Sequence, residues 1–198
     1  WYYNNSIREY ICNFIMSKLE TNTIDTVSGT TNLTIGSTNT STITMPNGAL
    51  SGQNYPAFFA HKTASQTITD NTLTKVTWDT DPIDTDSAFA SDKFTVPSGK
   101  GGKYMFSGSL QSDVQDANDM EYVDWYVYKN NSAVSYQLAD FRNNYIRRFP
   151  AVFNVMLDLS PSDYIEVFIR INDITSNPKI AGNTSYPETW FLGYRIGA

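Results

Sequence analysis

The chain has 198 residues, 40% hydrophobic and 14% aromatic, enough for one full-sized domain with a substantial core and a short extension. Its 20 acidic residues outweigh 14 Lys and Arg, and a net charge of −6 denies it the basic footprint that nucleic-acid binding requires. No run of 18 apolar residues exists, so no membrane insertion is expected, and a single cysteine, Cys12, excludes an intrachain disulfide framework or a cysteine-based zinc site.

Residues 1–15 begin at Trp1 without Met and lack the basic start, apolar stretch and cleavage site of a signal peptide. Met16-Ser-Lys-Leu19 reads as an initiation sequence, so the native protein is expected to start there, with residues 1–15 as upstream sequence. Residues 16–54 are rich in Thr, Ser and Asn. Apolar pairs at two-residue spacing, Leu33/Ile35 and Ile43/Met45, are each followed by a turn signal, Gly36-Ser37 or Pro46-Asn47-Gly48. Two short strands cannot bury a core alone but could wind with copies from neighbouring chains, as a β-rich stalk or attachment segment. The same composition also suits a polar linker.

From Tyr55 to residue 198 the density of apolar and aromatic residues rises, and the head domain is assigned there. Expected strands are Ala57–Lys62, Thr74–Trp78, Lys93–Val96, Gly102–Leu110, Glu121–Lys129, Ala133–Leu138, Phe149–Leu159, Tyr164–Ile171 and Thr189–Ile196. Explicit turns separate them at Ser98–Gly102, Lys129–Ser132 and Ser160–Asp163. Almost no helical period is present, so the expected class is all-β, an antiparallel double-sheet sandwich. Alternation in β-rich 122–128 puts Val123, Trp125 and Val127 on one face and Tyr122, Asp124, Tyr126 and Tyr128 on the other. A tyrosine-rich second face suits a subunit contact, and Tyr122, Tyr126 and Tyr128 are the candidate interface residues.

Several stretches resemble the C1q domain family. Tyr55-Pro-Ala-Phe-Phe-Ala60 is similar to its first strand. Phe94-Thr-Val-Pro97 with Gly102-Lys-Tyr-Met-Phe-Ser107 is similar to its central Phe-x-x-Pro-x-x-Gly-x-Tyr-x-Phe. Val155–Val167 resembles its strand, Leu-x-x-Gly-Asp turn, strand unit, and Thr189–Ile196 its closing Phe-x-Gly strand. Two departures stand out: the central loop carries the extra Lys100-Gly101, and Ser162 replaces the family's Gly before Asp163, which puts that turn's geometry in question. The resemblance implies a C1q/TNF-like jelly roll of ten strands that forms homotrimers, binds ligands at its surface and does not catalyse. No Gly-X-Y collagen stalk precedes it. The segment from Met16 through Leu33-Thr-Ile-Gly36 instead resembles the start of phage fibre-type structural proteins.

Candidate chemistry is sparse. His61 is the only histidine, which argues against a triad or a histidine metal cluster. Asp79, Asp81, Asp84 and Asp86 form one acidic group and Asp113, Asp116, Asp119, Glu121 and Asp124 another. The first is the candidate calcium site, weighed against a solvated acidic loop. Paired carboxylates would also serve glycoside cleavage, but nothing sets two at a catalytic separation. Trp78, Tyr136, Tyr145, Tyr186 and Trp190 could stack on sugars, and Tyr136, Tyr145 and Tyr186 are the candidate ligand-binding residues. Arg147-Arg148, the one tight basic pair, reads as a solvated loop or an ion-pair partner. The expected function is a non-enzymatic homotrimeric virion fibre or appendage protein whose head binds a host-surface glycan or protein. It takes no cofactor unless calcium. The alternatives are a secreted or surface-displayed recognition protein of a cell, which would be extracellular, and a glycan-degrading enzyme.

Overall fold

Aromatic and β-branched residues in alternation make the head a sandwich of two antiparallel sheets. The computed structural model describes residues 55–115, 118–175 and 178–197. The expected upstream segment 1–15, the stalk at 16–54 and Asp116 lie outside the described residues. Among the described residues thirteen strands and no helix occur, in chain order: β1 (Ala57–His61), β2 (Gln66–Thr67), β3 (Thr74–Lys75), β4 (Thr80–Asp84), β5 (Phe89–Ala90), β6 (Lys93–Thr95) and β7 (Gly102–Asp113) come first. Then follow β8 (Met120–Lys129), β9 (Ser132–Asp140), β10 (Arg148–Leu159), β11 (Tyr164–Asp173), β12 (Lys179–Ile180) and β13 (Trp190–Gly197).

The first sheet runs β2-β12-β7-β13-β1-β4, with β10 on the other edge of β7 along its whole length. β13 and β12 share the remaining edge of β7 in succession, at Lys103–Ser109 and at Ser112–Asp113. The second sheet runs β5-β6-β11-β8-β9, with β3 also paired to β11. The chain thus crosses repeatedly between the two sheets, the jelly-roll arrangement expected from the sequence.

Inward residues fill the space between the sheets with rings. Phe58 stacks on Phe89 and Phe94 at 4.7 and 5.0 Å, and Phe191 meets Phe58 edge-on at 4.8 Å. Tyr104 and Phe106 share the inward face of β7 as the motif implied, and both are fully buried. Each such ring contributes roughly 1.5–3 kcal/mol on burial. Two glycines make room for them. A Cβ on Gly193 would lie 2.5 Å from the Phe106 ring, and one on Gly108 would lie 2.3 Å from that of Phe153. The Phe-x-Gly ending is therefore a packing requirement.

The turns follow their residues. Asn130 and Asn131 take φ of 51° and 65°, the left-handed pair that a two-residue hairpin between β8 and β9 demands. Ser162 adopts φ 73°, so the Ser160–Asp163 turn keeps the geometry that glycine would supply. It is held because Ser162 N–H donates to Val96 O at 2.9 Å and the Asp163 carboxylate accepts from Ser160 N–H at 2.8 Å.

Some expectations need correction. The strand expected at Thr74–Trp78 shortens to β3, because Val76 turns into the core and the Trp78 N–H is taken by Asp92 Oδ1 at 2.7 Å. Part of the segment read as an acidic loop is strand β4. It tolerates Pro82 because it is an edge strand, paired only to β1. β2, β5 and β12, each two residues long, were also not expected.

Candidate functional site

The outer face of the second sheet is set by β8, where alternation drives Val123, Trp125 and Val127 into the core and leaves Tyr122, Asp124, Tyr126 and Tyr128 outward. Pairing puts Tyr136 of β9 opposite Tyr126 with ring centroids 4.8 Å apart. Tyr128 packs on Phe168 of β11 at 4.6 Å, so four rings form a continuous half-exposed aromatic band. Beside them Asp124, 0% exposed, is bound by the Arg170 guanidinium through Nε at 3.1 Å and through Nη2. That bond pushes the Arg170 pKa upward. The Tyr126 hydroxyl is raised too, first by burial and then by the neighbouring Asp124 charge. Lys75 closes on Glu166 at 2.6 Å on the same face. Of the three tyrosines expected at an interface, Tyr126 and Tyr128 stand in this band with Tyr136. Tyr122 lies further along β8, its ring 5.6 Å from the Arg170 guanidinium, an ion-pair member that spacing along the chain did not reveal.

The outer face of the first sheet is different in kind. Register places Ile83, Phe59, Leu192, Ser107 and Asn154 in one row across β4, β1, β13, β7 and β10. The flanking rows are His61, Trp190, Ser109, Val152 on one side and Ala57, Tyr194, Met105, Met156 on the other. Ile83, Val152, Met156, Tyr194 and Ile196 are each between 47% and 62% exposed. Phe59, Trp190, Leu192 and Pro187 line a shallow apolar hollow within it. His61 sits on this face, 5.6 Å from the Phe59 ring, with its Nδ1 buried and without a hydrogen-bond partner.

The remaining candidates are distributed. Asp79 accepts the N–H groups of Thr63 and Ala64 at 2.8 Å and pairs with the buried Lys62 at 3.5 Å. Burial works to raise its carboxyl, but the Ala64 N–H and the Lys62 charge hold it below the usual carboxylate range. Asp84 accepts the N–H groups of Ala88 and Phe89 at 2.8 and 3.0 Å, and Asp86 accepts from Thr85 Oγ1. Asp79 and Asp81 line one cleft with Asp92, which Asp84 and Asp86 do not reach. Among the described residues no group of three or more His, Cys, Asp or Glu is arranged to hold a metal ion. Tyr145 lies in the β9–β10 loop and Tyr186 in the β12–β13 loop, apart from Tyr136 on its sheet. Trp78 packs against the core, 5.7 Å from Phe191.

No protein-family model and no curated protein matches this chain. Solved structures do. The globular domain of zebrafish complement 1qA protein aligns with a TM-score of 0.50 at 15% identity, over 72% of this chain and 98% of that one. Murine APRIL aligns with a TM-score of 0.51 at 11% identity, over 72% of this chain and 100% of that one. The head is thus a C1q/TNF-like jelly-roll domain, and at these identities the likeness establishes fold. Among the described residues no helix is long and apolar enough to cross a membrane.

Proposed function

We propose that this domain is the head of a non-enzymatic homotrimeric fibre or appendage protein of a virion, which binds a glycan or protein on a host surface. The C1q/TNF-like fold supports a recognition domain of the trimer-forming kind. The observation that carries the assembly is the apolar outer face of the first sheet. Contiguous exposed apolar rows of this sort are rare on a monomer and common where copies meet. We assign the contact between copies to that face in place of the tyrosines of β8. Their band is flanked by the Asp124–Arg170 and Glu166–Lys75 pairs, and it suits an outward surface that recognises a target.

Light scattering on the full chain tests this reading. The expected result is a trimer at micromolar concentration, converted towards monomer by Met156→Arg, whose side chain is 62% exposed and so makes little of the fold. A wild-type monomer at that concentration overturns the reading, as does a Met156→Arg trimer of unchanged stability.

A further inference from the structure

Among the described residues, one end of the first sheet gathers three cations around two carboxylates. Asp113 ends β7, directly opposite Arg148 of β10 on one side and Lys179 of β12 on the other. Its side chain is only 7% exposed, and three cations surround it: Arg147 Nε at 3.5 Å, Arg148 Nε at 3.6 Å and Lys179 Nζ at 3.7 Å. At those separations none is a close hydrogen bond, and Asp113 Oδ1 instead accepts the Gln115 N–H at 2.8 Å. Arg148 turns its other end to Glu188, at 2.6 Å. Burial works to raise the Glu188 carboxyl, but hydrogen bonds from Asn183, Arg148 and the Tyr186 hydroxyl hold it below the usual range.

Among the described residues the count is Arg147, Arg148 and Lys179 against Asp113 and Glu188, three against two, in a chain of net −6. The other ion pairs of the described residues, Lys62–Asp79, Lys75–Glu166, Lys129–Asp163, Arg142–Asp140 and Arg170–Asp124, are one to one. Arg147 is the member least engaged by protein, with half its side chain exposed. A guanidinium fork in that position offers paired N–H donors to a planar or tetrahedral anion. Two exposed rings lie in the flanking loops: Tyr145 is two residues before Arg147, and Tyr186 is bonded to Glu188, the partner of Arg148.

We propose that Arg147, supported by Arg148 and Lys179, is the anion subsite of a binding site for acidic saccharides, taking a sugar carboxylate or sulfate while Tyr145 and Tyr186 face the sugar ring. The assignment rests on the recognition role proposed above, and it gives that role a ligand class and an anion subsite apart from the β8 band. The full chain is titrated against dextran sulfate, polygalacturonate and neutral dextran. It is expected to bind at least one acidic polymer and not dextran, more weakly as salt rises between about 50 and 200 mM. Whether sulfate or carboxylate is preferred identifies the anion.

Arg147→Gln is expected to weaken binding roughly tenfold, the loss of one charge-assisted contact. It leaves Arg148 and Lys179 to hold Asp113, and an unchanged urea midpoint verifies folding. Arg142→Gln, which removes the same charge from an exposed pair elsewhere, is expected to leave binding intact. Binding to neither acidic polymer, equal binding to dextran, or equal losses in the two variants overturns the proposal. So does a change of oligomeric state in Arg147→Gln without loss of binding. A wild-type monomer that still binds through Arg147 would sink the assembly reading and leave this one standing.

Discussion

Replacing Arg170 with Met tests whether the second sheet's outer face depends on a buried charge pair. Asp124 is fully buried on an otherwise aromatic surface, and Arg170 is its main cationic partner, bonded through Nε and Nη2. The Tyr126 hydroxyl, at 3.5 Å, is too distant to replace that pair. Removing one partner of a buried pair leaves an uncompensated charge, which costs about 3–5 kcal/mol. Arg170 itself is 34% exposed, so water reaches the pair and the lower end, about 3 kcal/mol, applies. With an m-value of about 2 kcal/mol/M, the urea midpoint should fall by about 1.5 M at fixed protein concentration. Asp124→Leu combined with Arg170→Met removes both charges, and it should recover about 2 kcal/mol relative to Arg170→Met alone. An Arg170→Met midpoint within about 0.3 M of wild type, on that m-value, would show that the pair is not holding this face together.

Two further outcomes follow from the turns and the carboxylates. Ser162→Gly should raise stability by about 0.5–1 kcal/mol, since a left-handed residue with a Cβ costs about 1–2 kcal/mol and glycine returns part of that through unfolded-state entropy. A lowered urea midpoint would place the strain elsewhere. Acid should destabilise the head: Asp163, held low chiefly by the Lys129 hydrogen bond, and Asp79 and Glu188 all have folded pKa values below their unfolded ones. Their contribution is complete above the unfolded values near about 4 and is lost as pH falls through the folded ones. The urea midpoint should therefore hold from pH 7 to about 5 and drop by about pH 3, and a flat profile across that range would refute the reasoning.

Legibility in the sequence tracked how local each determinant is. Alternation over Tyr122–Tyr128 needs only the pleat, so both faces of β8 could be read directly. The Asn130-Asn131 turn and the Phe-x-Gly closure are likewise set within a few residues, by left-handed backbone and by ring packing. Strand β4 was hidden because Pro82 and two acidic residues, Asp81 and Asp84, look like loop, and only its edge position makes that composition tolerable. The two-residue strands leave no periodicity to detect. The Asp113 cluster was out of reach for a stronger reason. Its members come from 113, 147–148, 179 and 188, and only the pairing of β7 with both β10 and β12 brings them together.

The same distinction bears on how the two outer faces divide their roles. Tyrosine alternation announces a face but not its use, because an aromatic band serves a subunit contact and a target surface equally well. What separates the uses is the polar wiring across strands. On the second sheet, Asp124–Arg170 and Glu166–Lys75 satisfy buried charge without any partner chain, and the exposed Tyr136 and Leu138 are left free for a target. On the first sheet, Ile83, Met156, Val152 and Tyr194 meet solvent across three rows with few polar groups among them, and burying them requires a second surface. Past the end of those rows the Arg147 cluster has the opposite deficit, a charge in excess of its partners, which an anion rather than another apolar face would satisfy.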